Sequence, residues 1–177
     1  MEALQHDSGE NRLRDASVAI ADIGHQTTDL LLADRFRFAR GISQSEPFAM
    51  SQFYEQVAAQ IQGADSQSLH LIRAVNRPEG ERFYRPQGAI QPTNLDEILP
   101  SLRKSFAREL RDRLIAWLPE RTTDVVVTGG GGEFFWEELQ QLLAQAQLGG
   151  HLAKPSCEAN ALGQHIYGEV RQEAARH

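Results

Sequence analysis

The sequence carries a single cysteine, Cys157, in 177 residues. An internal disulfide is thereby excluded, and Cys157, at the approach to a helix, reads as a small buried hydrophobe rather than a nucleophile. The six histidines (His6, His25, His70, His151, His165 and His177) never fall at ligand spacing along one helix face, which argues against a structural zinc site. No apolar run approaches about 18 residues, and no basic stretch followed by an apolar one opens the chain. Neither a membrane span nor a signal peptide is expected, and cytoplasmic location follows as the default. Positive charge is also scarce: 18 Lys and Arg stand against 24 Asp and Glu, a formal net charge of −6. A surface of that sign repels nucleic acid and anionic lipid, so direct binding to either is not expected.

What is present is ordinary in bulk. With 41% hydrophobic and 24% charged residues, the chain has the make-up of a globular protein. Its length suits one domain that buries roughly 70% of the surface its unfolded form exposes. Residues 1–14 are polar and aperiodic and read as a disordered lead-in; residues 15–175 read as a single domain.

The chain is organised around Asp22-Ile23-Gly24-His25-Gln26-Thr27-Thr28-Asp29, set between the apolar runs Val18 to Ala21 and Leu30 to Ala33. That layout is strand, turn, strand. A hairpin turn needs only Asn-Gly or Asp-Gly, and this one carries more. Gly24 lets the backbone approach a ligand, successive N–H groups in such a turn can cup a phosphate, and Thr27 and Thr28 add hydroxyl donors. Asp22 and Asp29 suit a hydrated Mg2+. The bland alternative is an exposed polar hairpin tip without a ligand.

Further along, Arg35 to Arg40 alternates charged and apolar residues with period two, as a half-buried strand does, with Phe36 and Phe38 on one face. Its arginines belong to a solvated strand face more readily than to a phosphate site. Gly41 to Ser45 then turns the chain, and Glu46-Pro47 opens a helix carrying Phe48, Met50, Phe53, Tyr54, Val57, Ala58 and Ile61 inward. Leu69 to Val75 is either a short strand or the start of a helix. Asn76 to Pro92, with three prolines and two glycines, is a loop or protruding excursion. Its Phe83-Tyr84-Arg85 either contacts a partner or tucks the loop onto the body. A long helix capped by Thr93 or Asn94 reaches Leu118, and Pro100 implies either a kink or a start near Pro100 itself.

Asp124 to Thr128 is short and β-branched, as a buried central strand is, and runs straight into Gly129-Gly130-Gly131-Gly132. A helix follows from about Glu133 to Ala146. His151 to Lys154 is a last short strand, and Glu158 to about Ala174 a final helix. A strand that delivers glycines and then a helix is a ligand-binding geometry, since the glycines let a nucleotide lie against backbone and the helix start presents free N–H groups. Two nucleotide fingerprints fail here. G-x-G-x-x-G meets Phe134 or Phe135 at its last glycine, and G-x-x-x-x-G-K-[ST] has no Gly-Lys pair to rest on. No G-x-S-x-G elbow is present either.

The octet resembles the second phosphate loop of the actin, heat-shock chaperone and sugar kinase ATPase superfamily, most closely the ParM-like plasmid-segregation proteins. The strand and glycine run at 124–132 resembles that superfamily's adenosine motif. Pro155 to Gly163, with Ala159-Asn160-Ala161-Leu162-Gly163, is similar to the family's closing segment. His25 and Gln26 stand where chaperones and many kinases carry glycines. The match covers about Val18 to Val170. It implies an α/β, ribonuclease H-like fold with a five-stranded mixed sheet flanked by helices.

It implies too that Gly24, Thr27 and Thr28 take the phosphates of ATP or GTP, Gly129, Gly130 and Gly131 the adenosine, and Asp22 and Asp29 a Mg2+ through water. No catalytic residue is assigned. A complete family member has two such domains with the nucleotide between them, and this sequence resembles the second. The expected partners are nucleotide, a first domain, and other copies of the chain in filaments, within plasmid segregation or the cytoskeleton. Little ATPase activity is expected of one half. The alternative is a non-catalytic assembly module that keeps the fold; a sugar or acetate kinase half has no specific support.

Overall fold

The computed structural model describes residues 16–35, 37–39 and 41–158. The expected lead-in, the side chains of Phe36 and Arg40, and the final helix beyond Glu158 lie outside those residues.

The octet folds as a hairpin. β1 (Ser17–Ile23) and β2 (Thr28–Asp34) pair antiparallel from Ser17↔Asp34 to Ile23↔Thr28. Period-two alternation decides which side is covered: Ala19, Ala21 and Ile23 are buried on β1, and Thr28, Leu30 and Leu32 on β2. The outer edge of β2 takes two short strands, β3 (Arg37–Phe38) at Ala33 and Asp34, and β4 (Gln44–Glu46) at Thr28 to Leu30. The expected strand Arg35 to Arg40 thus appears as Arg37–Phe38 among the described residues, and β4 is a further strand. Gly41 to Ser45 is not simply a turn, and Glu46 belongs to a strand rather than to a helix start. An open edge of unsatisfied N–H and C=O groups recruits even the polar Gln44-Ser45-Glu46. The helix begins later: α1 spans Met50–Ala59, with Pro47 outside it.

Leu69–Val75 is a helix, α2, burying Leu71, Ala74 and Val75 at helical spacing. The excursion contains a two-stranded ribbon, β5 (Phe83–Tyr84) with β6 (Thr93–Asn94). Asn94 Oδ1 accepts from the Asp96 N–H and caps a single turn, Leu95–Glu97. The long helix, α3 (Leu99–Trp117), starts after that turn with Pro100 at its opening, where a missing N–H costs nothing.

β7 (Asp124–Thr128) pairs parallel with β1, and β8 (Gly149–Leu152) parallel with β7. The sheet order β3-β2-β1-β7-β8 contains the five mixed strands expected, with β4 added beside β2. β8 begins at the two glycines that read as a breaker. A Cβ at Gly149 would press on the Asp124 carboxylate, and one at Gly150 would come within 3.1 Å of Leu143, so the strand is glycine-rich for want of room. The expected helix from Glu133 starts earlier and is broken in two, α4 (Gly129–Phe134) and α5 (Trp136–Gln145), because Phe135 leaves helical geometry to turn its ring into the core.

That ring belongs to a cluster that joins the helices over the sheet. Phe48 stacks on Phe106 at 4.3 Å, Phe106 on Phe135 at 5.1 Å, and Phe53 meets Phe135 edge-on at 5.0 Å. These are favourable aromatic geometries. Phe53, Phe106 and Phe135 have at most 1% of their surface exposed. Arg103 closes the cluster from outside, donating to the Phe134 carbonyl and to Glu138. Among the described residues, no helix is long and apolar enough to cross a membrane.

Phe106→Ala is expected to destabilise the fold by about 3–5 kcal/mol, as cavity-forming aromatic truncations do. Ile90→Ser, at a side chain that is 92% exposed, is expected to stay within about 0.5 kcal/mol of the unsubstituted chain. Urea unfolding of both variants checks the pair.

Candidate functional site

The parallel register of β1 against β7 decides where the two glycine motifs meet. Asp22 lies opposite Thr128, so the turn leaving β1 and the turn leaving β7 emerge side by side at one end of the sheet. Gly129, at φ +83°, makes the sharp exit. A Cβ there would collide with Asp22 Oδ1 and with the Ile23 carbonyl oxygen. At Gly131 a Cβ would fall 2.9 Å from the Ile23 carbonyl and 3.1 Å from Met50 Cγ, and at Gly132 it would fall 2.8 Å from Val127 Cγ1. Gly130 is different: it is exposed, and its nearest neighbour would be Cys157 Sγ at 3.7 Å. The glycines are thus no open loop. They form the first turn of α4, seated against the end of β1.

The hairpin turn is held from the opposite side. The Gly24 carbonyl accepts from Met50 N–H at 3.3 Å and the His25 carbonyl from Ser51 N–H at 2.7 Å, so the turn satisfies two of the orphan donors at the start of α1. His25 also leans on Tyr54, with ring centroids 6.0 Å apart. Burial pushes the Tyr54 phenol above its ordinary pKa, partly offset by the hydrogen bond that Asn76 donates to it. Inside the turn, Gly24 N–H donates to the Thr27 carbonyl at 2.9 Å, and a Cβ on Gly24 would sit 3.1 Å from that oxygen.

Asp22 and Asp29 face each other directly across the β1–β2 pair, on the sheet face opposite to Thr28. Two carboxylates at opposed positions of a strand pair repel one another. They line a cleft of about 430 Å³ together with Leu31, Ser43, Gln44 and Ser45. Ser45 Oγ donates to Asp29 Oδ1 at 2.5 Å and fixes that carboxylate. Ser45 was not singled out from the sequence, because only the β4 pairing brings it there.

Thr28 and Thr27 part company. Thr28 is buried, and its hydroxyl donates to the Phe48 carbonyl at 2.6 Å, so it is spent on the fold and directed away from the carboxylates. Thr27 is the exposed hydroxyl of the turn. Cys157 also differs from expectation: it is exposed rather than buried. Its segment nevertheless covers the glycine turn, since the Ser156 carbonyl accepts from both Gly129 N–H and Thr128 Oγ1, and Ser156 Oγ donates to Glu133 at 2.6 Å. Of the residues expected at the site, Asp22, Gly24, Thr27, Asp29 and Gly129 to Gly131 therefore lie at one end of the sheet; Arg35, in the turn after β2, and Arg37, in β3, are exposed, as a solvated face requires.

No family model and no curated protein sequence matches the chain; its likeness to known proteins is one of fold. The actin-like protein Alp7A superposes with a TM-score of 0.72 at 15% identity, covering 94% of this chain and 48% of that one. A pCBH ParM, solved as a non-polymerisable quadruple mutant, gives 0.71 at 17% identity over 93% and 50%. The archaeal actin homologue Ta0583 in complex with ADP gives 0.68 at 16% identity over 88% and 50%. The chain has the fold of one domain of an actin-like protein. It spans about half the length of the solved chains it matches.

Packing, and at Gly129 also the positive φ, distinguishes the glycines. Gly129→Ala and Gly131→Ala are expected to destabilise by about 1–3 kcal/mol each, Gly131→Ala through overpacking against Ile23 and Met50, and Gly129→Ala through overpacking against Asp22 and Ile23 together with its left-handed backbone. Gly130→Ala is expected to lie within about 0.5 kcal/mol of neutral. Three urea midpoints test this, and equal effects at all three positions would contradict the geometry.

Proposed function

We propose that the chain is the nucleotide-binding second half of an actin-like ATPase of the ParM-like type, acting in plasmid segregation or a related cytoskeletal filament. One observation carries the reading: the Asp22 to Asp29 turn and the Gly129 turn, about a hundred residues apart in sequence, are brought into contact at one end of the sheet. Ligands of open α/β sheets bind in the crevice beyond the strand ends.

The residues present fit Mg-ATP or Mg-GTP. Two opposed carboxylates are a hard-oxygen set, and Mg2+ is commonly held by one or two carboxylates together with waters and phosphates rather than by an all-protein cage. No group of three or more potential ligands occurs among the described residues, which accords with a metal brought in by its nucleotide. Bound there, the metal would neutralise phosphate charge. Asp22 and Asp29 would orient its waters, with Ser45 holding Asp29 in place. Gly24 and the Thr27 hydroxyl would meet phosphate, and the backbone of Gly129 to Gly131 would lie along the adenosine. Thr28 would shape the turn from beneath. Catalysis by such a site is positioning and charge neutralisation, and it needs a first domain to close over the nucleotide.

A second reading, an assembly module without turnover, has its own support. Gly129, Gly131 and Gly132 each have a steric reason to be glycine, and Thr28 a structural hydrogen bond, whether or not nucleotide binds. Calorimetric titration with ADP and ATP, with and without Mg2+, separates the two. Asp22→Asn, which keeps the shape of the side chain, should weaken Mg-nucleotide binding at least tenfold while leaving metal-free nucleotide binding less affected. No heat under any condition would favour the assembly module.

Turnover by the chain alone should be negligible. Each charge-assisted hydrogen bond that a first domain would supply is worth on the order of 1.5–3 kcal/mol, so losing a few moves a micromolar site to about millimolar. Steady-state phosphate release at millimolar Mg-ATP checks this. Turnover near one per second that vanishes in Asp22→Asn would mean that copies of the chain complete one another's sites.

A further inference from the structure

The end of α2 and the excursion that follows it form a basic corner on an acidic chain. His70 and Arg73 are three apart on one side of α2, and Arg77, in the bend just after it, faces the same way. Arg85 joins them from the excursion. With Ala74, Phe83 and Tyr84 they line a shallow pocket of about 290 Å³. All four basic side chains are exposed. Among the described residues, the guanidinium groups of Arg73, Arg77 and Arg85 enter no ion pair or hydrogen bond. Their neighbour Arg82 shows the contrast: it is tied to Asp96 and to the Arg77 carbonyl. Tyr84 is buried beneath the pocket, whereas Phe83 beside it is 47% exposed.

A cation in the last turn of a helix is favoured by the helix dipole, and that accounts for Arg73. It does not account for Arg85, which reaches the same pocket from another element, nor for an exposed aromatic ring among three uncompensated guanidiniums in a chain of net charge −6.

We propose that this corner docks a short acidic segment of a partner protein, with carboxylates flanking an apolar side chain. Guanidinium groups bind carboxylates through paired, fork-shaped hydrogen bonds, and arginine beside an aromatic ring is the composition of an interaction hot spot. A short segment suits the site better than a nucleic acid does. The pocket holds only about 290 Å³, so a short carboxylate segment can end within it, whereas a long phosphate backbone would run on over the rest of a chain of net charge −6.

Fluorescence anisotropy with the fluorescein-labelled octapeptide Glu-Asp-Glu-Leu-Phe-Asp-Glu-Asp, at low ionic strength, tests the proposal. A dissociation constant below about 1 mM is expected. The double variant Arg73→Gln/Arg77→Gln should weaken binding at least tenfold. Phe83→Ser, or a peptide with serines in place of its Leu-Phe pair, should weaken it about threefold or more. Arg108→Gln, on α3, should leave it unchanged. All the substituted side chains are exposed, and unchanged unfolding midpoints would show that the variants fold. The proposal is overturned by absence of binding, by binding indifferent to the double variant, or by an oligonucleotide that displaces the peptide and binds more tightly through the same arginines.

Discussion

The close seating of the Gly129 turn against the end of β1 is the constraint on which the rest of the molecule depends. Side chains are absent from positions 129 and 131 because Asp22, the Ile23 carbonyl and Met50 already occupy the space. That one contact joins the central parallel pair, the hairpin turn and the start of α1. Met50 meets the glycine turn with its side chain while its N–H is held by the Gly24 carbonyl, so both candidate ligand turns are braced against the same helix. A pair of turns fixed to a shared support keeps its separation, and a preorganised site requires that.

The support is stiff because of what lies behind it. Phe48, immediately before α1, takes the Thr28 hydroxyl on its carbonyl and stacks its ring on Phe106. Arg113 covers the outer face of that ring at 4.3 Å and pairs with Glu46 and Glu109. Exposed pairs of this kind contribute little energy. Their effect is to keep water off the edge of the aromatic cluster and to tie β4 to α3. The arrangement thus runs from an exposed ion pair, through a stacked ring, to the hairpin that carries Asp22 and Asp29.

Much of this was legible in the residues, and the failures share a physical cause. Strands with a buried face announce themselves, as Val125 and Val127 or Leu30 and Leu32 do. The hairpin, the central strand and the helix that follows its glycine run were accordingly readable, and so was the late start of α3 as one of two options at Pro100. What stayed hidden is decided by partners distant in sequence. Gln44-Ser45-Glu46 becomes a strand only because β2 has an open edge, and Ser45 reaches Asp29 only through that pairing. Gly149-Gly150 looks like a breaker until Asp124 and Leu143 are seen to fill the space. Thr28 and Thr27 are adjacent and chemically alike, and only the pleat sends one hydroxyl to Phe48 and the other to solvent. Cys157 read as a buried hydrophobe because free cysteine at the approach to a helix usually packs as one; in the fold Ser156, one residue earlier, is the member that turns inward.

The parallel pairing of β1 with β7 also sets the order of events during folding. The β1–β2 hairpin is local and can form on its own, whereas Val18 and Asp124 are about a hundred residues apart when they pair. Closing so long a loop is entropically costly until many contacts form together. Until then the carboxylate turn exists without its glycine neighbour, and α1 lacks the contact between Met50 and Gly131. The meeting of the two turns therefore carries the longest loop closure among the strand pairings of the described sheet, and the pieces of the site become a site only once that closure is made.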